Sequence, residues 1–173
     1  MPFVRRKPRA IVGQLLSALL FFSFATVAVA QSPVIFIVRH AERAAISGRV
    51  PFDTSLSETG RERAKALAHE LRDAQITAIY TSEYTRTKET AAPLAESLGI
   101  RAEVIPADDL RGLLAKLKAA RGNVLVVGHS NTVPQLINAL GVRGRVTIAE
   151  SDYDNLFVIV REPEPRLIHL HYR

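Results

Sequence analysis

A three-layer α/β domain, with a mainly parallel sheet between two layers of helices, is predicted by three observations. Short apolar runs alternate with amphipathic stretches from Pro33 to the end of the chain, as strands alternate with helices in such domains. The runs Val34–Val38 and Val124–Val127 are continuously apolar, as strands covered on both faces must be. No repeat or low-complexity linker interrupts the alternation.

Val34 to Val38 is the first strand, and residues 43–55, with Gly48, Pro51 and Asp53, read as a loop. Ser57 is a candidate N-cap for a helix whose Ala64, Leu67, Ala68 and Leu71 share one face. Ile76 to Tyr80 is a second strand. The following helical stretch, about Glu83 to Leu98, stops at Gly99, and Pro93 within it should kink or divide it. Ala102 to Ile105 is a short strand ended by Pro106. Asp108 or Asp109 can cap the next helix, whose Leu110, Leu113, Leu114 and Leu117 form a core-facing stripe. Val124 to Val127 runs into Gly128-His129-Ser130-Asn131, and a helix through Pro134 ends at Gly141. Leu156 to Val160 and Leu167 to Tyr172 close the sheet, the last alternating like an edge strand.

The chain of 173 residues suits one folded domain, and 47% hydrophobic with 23% charged residues is an ordinary globular balance. Absence of Cys excludes a disulfide framework and thiolate metal sites. The formal charge of +6 is concentrated at the start, in Arg5, Arg6, Lys7 and Arg9; without those four the remainder carries only +2. That distribution argues against nucleic-acid binding and for targeting. An apolar run from Ala10 to Ala30 ends in Ala28-Val29-Ala30, a small-x-small cleavage pattern, followed by Gln31-Ser32. Residues 1–30 therefore read as a cleaved signal peptide, with an uncleaved membrane anchor as the alternative, and residues 31–173 as the functional domain. Either places that domain outside the cytoplasm, in the periplasm or cell envelope.

Three predicted strand ends carry reactive side chains: Arg39-His40, Thr81-Ser82 with Arg86, and His129-Ser130-Asn131. In an open α/β sheet these ends share one edge, where ligands bind. Two guanidiniums and two imidazoles there, with no evident carboxylate partners, are expected to form an electropositive pocket suited to a phosphoryl group. Each residue alone has an ordinary structural reading. His69 reads as a solvated surface residue, and His169 with His171 as exposed positions on the last strand rather than metal ligands.

Together these segments resemble the histidine phosphatase (phosphoglycerate mutase-like) superfamily. The resemblance rests on Ile35-Phe36-Ile37-Val38-Arg39-His40-Ala41-Glu42, on Asp53 through Leu56-Ser57-Glu58-Thr59-Gly60 with Ala64, on Ile79-Tyr80-Thr81-Ser82 with Arg86-Thr87 and Thr90-Ala91, and on Val126-Val127-Gly128-His129-Ser130. These blocks lie in the family's order across about residues 33–160, with the short spacers of insertion-poor members. The resemblance implies that His40 is the nucleophile and that Arg39, Arg86 and His129 hold the phosphoryl oxygens, His129 as a cationic donor, with no metal or other cofactor. Asp108 and Asp109 are the candidate proton donors, with Glu150, Asp152 and Asp154 in reserve. Ser47, Ser130 and Tyr153 are candidate substrate contacts. Ala41 stands where the family usually has Gly, and Ala44-Ala45-Ile46-Ser47 where mutase-like members carry an Asn, which weakens a phosphosugar mutase reading.

The expected function is thus an exported phosphomonoesterase acting on a small or envelope-linked phosphate. A phosphohistidine phosphatase is a further enzymatic reading, and a non-catalytic phosphate-binding envelope module is the alternative outside the enzymes.

Overall fold

Six strands form a single sheet in the order β3-β2-β4-β1-β5-β6 in the computed structural model, which describes residues 33–44, 53–161 and 164–173. All belong to one unit, Gln31–Arg173. The strands are β1 (Ile35–Arg39), β2 (Ile76–Thr81), β3 (Glu103–Val104), β4 (Asn123–Gly128), β5 (Asn155–Val160) and β6 (Arg166–His171). The helices are α1 (Glu58–Leu71), α2 (Thr85–Leu98), α3 (Leu110–Ala119) and α4 (Thr132–Ala139). β3, β2, β4 and β1 pair in parallel; β5 runs antiparallel to β1, and β6 antiparallel to β5.

Side-chain alternation along the strands divides the core in two. Ile35, Ile37, Val124, Val126, Phe157 and Ile159 face the α3 and α4 layer, meeting Leu117, Val133, Leu136 and Ile137. Val38, Leu125, Val127, Leu156 and Val158 face the α1 and α2 layer, meeting Leu67, Leu71, Ala91 and Leu94. The continuous apolar runs of β1 and β4 are thereby explained, since every residue must suit one of two buried faces. Helices on both faces of a mainly parallel sheet are the expected architecture.

Ser57 caps α1, its hydroxyl accepting the Gly60 N–H at 3.0 Å, and Gly99 closes α2 in the left-handed conformation at φ 64°. Pro93 does not divide α2, which runs unbroken over Thr85–Leu98. The buried apolar face carrying Ala91 and Leu94 outweighs the hydrogen bond that a proline removes. The third strand is only two residues long, shorter than the sequence run implied.

α1 fixes the segment that follows β1. Glu42 takes a two-pronged ion pair from Arg63 at 2.7–2.9 Å, and its backbone oxygen accepts from Ser57 N–H at 2.9 Å. That same oxygen lies 2.2 Å from where a Cβ on Gly60 would stand, so only glycine permits the helix to approach so closely.

Candidate active site

β1 and β4 are adjacent and parallel, with Arg39 opposite Gly128 in the register. The residues just beyond them, His40 and His129, must therefore emerge side by side at the same sheet edge. His40 N–H donates to Gly128 O at 2.9 Å, and the two imidazole centroids lie 5.3 Å apart. Arg86, in the first turn of α2, completes the group: its Nη2 donates to His129 Nδ1 at 3.4 Å. Arg39, His40 and His129 are 2%, 4% and 7% exposed. They line a depression of about 600 Å³ with Arg43, Tyr84, Arg86, Asp108, Ser130, Asn131, Gln135 and Glu150 among its other walls.

The state of each histidine follows from its partners. His40 Nδ1 lies 2.8 Å from the Ala41 carbonyl oxygen, which can only accept, so Nδ1 carries the hydrogen. Nε2 then holds the free lone pair. Burial, reinforced by His129, Arg86 and Arg39, lowers the His40 pKa to about 3, so the ring stays neutral. The loop beneath it is held by Thr90, whose hydroxyl accepts from Ala41 N–H at 2.9 Å and donates to Arg86 O at 2.7 Å.

One expectation about charge is corrected. The guanidiniums do have carboxylate partners. Arg39 Nη2 pairs with Glu150 at 3.0 Å, while its Nη1 is held by the carbonyl oxygens of Ala149, Glu150 and Asp152. Arg86 Nη1 lies 3.6 Å from Asp53, whose carboxylate also accepts from Thr85 N–H and so caps α2. Tyr153 and Tyr84 each lie 4.2 Å beneath one guanidinium, Arg39 and Arg86 respectively. Local sequence could not reveal these partners because they come from distant segments. Burial, then Arg86, lowers the His129 pKa to about 4, so the cationic donor expected of it needs an anion beside the ring.

The compensation is incomplete. Arg39 Nε and Arg86 Nε and Nη1 are buried without a hydrogen-bond partner. An unmet buried donor costs about 1–3 kcal/mol, and both guanidiniums belong to residues that line the depression, where they can hold an oxyanion.

The acidic candidates separate. Asp109 caps α3, its carboxylate accepting from Gly112 N–H at 2.8 Å, while Asp108 lines the depression. Glu83 accepts from Ala107 N–H at 2.8 Å and so holds the Asp108 segment near the site. Glu150, though a wall of the site, is engaged by Arg39 and by the Ser130 hydroxyl, which donates at 3.2 Å. Asp152 turns away to accept from Ala149 N–H, and Asp154 pairs with His171 at 3.1 Å. Ser47 lies outside the described residues. Arg43, Tyr84, Ser82 and Thr87 had no assigned role in the sequence; Arg43 stands three residues beyond His40 and could have been found by that proximity. Among the described residues no group of three or more His, Asp and Glu could hold a metal ion.

A model of the histidine phosphatase superfamily, branch 1, matches residues 35–113. A probable phosphatase of Schizosaccharomyces pombe is 40% identical over 67 residues, covering 36% of this chain and 31% of its own length. The chain thus spans about a third of that curated relative. Among solved structures, the protein histidine phosphatase SixA complexed with tungstate superposes with a TM-score of 0.64 at 20% identity, covering 80% of this chain and 96% of its own. A mycobacterial glucosyl-3-phosphoglycerate phosphatase complexed with inorganic phosphate gives 0.62 at 20% identity, covering 79% and 95%. Such identities speak for the fold, and the family model covers the blocks that carry Arg39, His40 and Arg86: over residues 35–113 the chain matches the histidine phosphatase superfamily.

Proposed function

We propose that the protein is a phosphomonoesterase that passes the phosphoryl group through His40. The observation that carries the reading is the fixed, neutral tautomer of His40, with Nε2 unprotonated in a depression that Arg39, Arg86 and His129 also line. In the first step the Nε2 lone pair attacks phosphorus and the ester P–O bond breaks. Arg39, Arg86 and His129 hold the phosphoryl oxygens, which is most of what this transfer demands. The departing alkoxide takes a proton from Asp108 in its carboxylic-acid form, the pocket carboxyl left without a hydrogen bond or ion pair among the described residues. Water then attacks phosphorus, giving its proton to the Asp108 carboxylate, and the P–N bond breaks to release phosphate.

The walls beyond the phosphoryl cradle, Asn131, Gln135, Ser130 and Asp108, are polar, which favours a small hydroxylated leaving group. The oxyanion complexes of the SixA and mycobacterial neighbours support the same use of the pocket. The arginines and His129 supply the positive charge, so hydrolysis is expected to proceed unchanged in the presence of a chelator.

The test is trapping. Wild-type protein mixed with labelled 4-nitrophenyl phosphate and quenched in alkali should carry label on His40, and acid should release it. His40→Ala should fold, carry no label and lose nearly all turnover. Absence of an alkali-stable label in an active wild type sinks the phosphohistidine route.

The basic, apolar start ending in Ala28-Val29-Ala30 supports export, with the mature chain beginning at Gln31. Intact mass of envelope-derived protein should show loss of residues 1–30. Full-length mass with membrane retention would establish an anchor instead.

A further inference from the structure

Behind His129 lies a chain of hydroxyls that the mechanism above does not use. His129 Nε2 is 2.9 Å from Ser82 Oγ, which is 2.9 Å from Thr87 Oγ1. Thr87 Oγ1 in turn lies 2.8 Å from the Tyr84 carbonyl oxygen and 3.2 Å from that of Ser82. All three side chains are buried, Thr87 completely.

The direction of this chain is fixed at its far end. A carbonyl oxygen only accepts, so the single hydroxyl hydrogen of Thr87 is committed to it. Thr87 therefore accepts from Ser82, and Ser82, its own hydrogen spent, can only accept from His129 Nε2–H. On the other side of the ring, Arg86 Nη2 is a pure donor 3.4 Å from Nδ1, so Nδ1 is an acceptor there. Both sides of the ring give the same tautomer.

We infer that Ser82 and Thr87 are positioning residues: they lock His129 with its hydrogen on Nε2, so that Nδ1 is the one atom able to take up a proton and donate it to a bound oxyanion. The inference rests on the phosphoryl-transfer reading for its catalytic consequence, but not for the tautomer itself. The charged and titratable groups around the ring are Arg86 and Tyr84 at α2, Arg39, the neutral His40 and Arg43 at the end of β1, and Glu83 after β2, with Asp108 and Glu150 in the walls of the same depression. The three arginines disfavour a proton on Nδ1 until an anion arrives. Burial acts in the same direction. The ring thus waits as an acceptor and becomes a donor on binding, while the bond to Ser82 stays the same in both states. Without the hydroxyl chain the ring could take the opposite tautomer, aiming an N–H at Arg86 and leaving Nε2 as the only lone pair.

The sharpest variant is Thr87→Val, which keeps the shape of the side chain and removes the terminal acceptor. Ser82 is then free to donate to His129 Nε2, which competes with the Arg86 donor at Nδ1 and leaves the tautomers mixed. Long-range ¹H–¹⁵N correlation spectra of full-length protein labelled at histidine nitrogen should show Nε2–H for His129 in wild type and Thr87→Ser, and a mixture of Nε2–H and Nδ1–H in Thr87→Val. Inorganic phosphate titrated into wild type should protonate Nδ1. Thr87→Val should lose on the order of 10- to 100-fold in phosphate affinity and kcat/KM, as lost outer-shell orientation commonly does. Ser82→Ala, a second variant should Thr87→Val not fold, should show mixed tautomers with a similar loss. Nδ1–H in the wild type, or an unchanged tautomer in Thr87→Val, overturns the inference. The expected tautomers in a protein that neither binds phosphate nor hydrolyses esters would instead overturn the phosphatase reading.

Discussion

His40 can attack phosphorus only as a neutral ring with Nε2 bare, and both conditions are imposed by groups one residue or one strand away. The Ala41 carbonyl takes the hydrogen to Nδ1, and burial holds the pKa near 3. The proposed proton donor is placed as locally. Asp108 lines the depression while its neighbour Asp109 caps α3, and leaving-group dependence tests the division. Asp108→Asn should lose far more rate on alkyl phosphates than on 4-nitrophenyl phosphate, because a good leaving group departs without a proton. Asp109→Asn should leave both rates near wild type, since Asn caps a helix as well as Asp does, while Asp109→Ala should cost about 1 kcal/mol of stability. Equal losses on both esters in Asp108→Asn would refute its role as acid.

At the scale of the element, β1 and β4 were legible because each is an apolar run ending in charged or polar residues, a pattern that marks a buried strand opening onto a sheet edge. α1 was legible through its cap at Ser57 and its apolar face. β3 was read too long because Ala102 and Ile105 are apolar for packing on the two cores, while beyond Val104 a single backbone bond, Ile105 N–H to Thr81 O at 2.9 Å, is left of the pairing. Pro93 misled because local propensity is a weak term against a buried helix face. At the candidate site, Arg39, His40, Arg86 and His129 could be named from strand-end position and family resemblance. The compensation of Arg39 by Glu150 could not, nor the hydroxyl chain behind His129, because such contacts join segments distant in sequence and depend on side-chain direction.

For the molecule as a whole, two buried neutral histidines make a statement about acid. His40 and His129 titrate near 3 and 4 when folded, against 6.5 in an unfolded chain. Between those values the unfolded state binds more protons, so stability rises with pH and is lost as pH falls from 6.5 toward 4. His169, also lowered by burial and by His171, adds to the same trend. The expected penalty at pH 4.5 is a few kcal/mol, on the order of 5–10 °C in Tm relative to pH 7. A His40→Asn/His129→Asn double variant should show a flatter dependence. Thermal melts across that range in phosphate-free buffer measure it, and an acid sensitivity equal in both proteins would contradict the neutral pair.

The place of β1 in the sheet has a consequence for how the chain is made. It is the first strand in sequence, yet it lies at the sheet's interior, between β4 and β5. Ile35 pairs with Val124 on one side and Ile159 on the other. A polypeptide emerging from the ribosome amino end first therefore presents β1 long before either neighbour exists, and the sheet cannot close until the stretch through β5 is free. Formation is dominated by these distant pairings, which are slow because loop closure precedes their reward. Such a chain remains threadable for as long as β1 waits for β4 and β5.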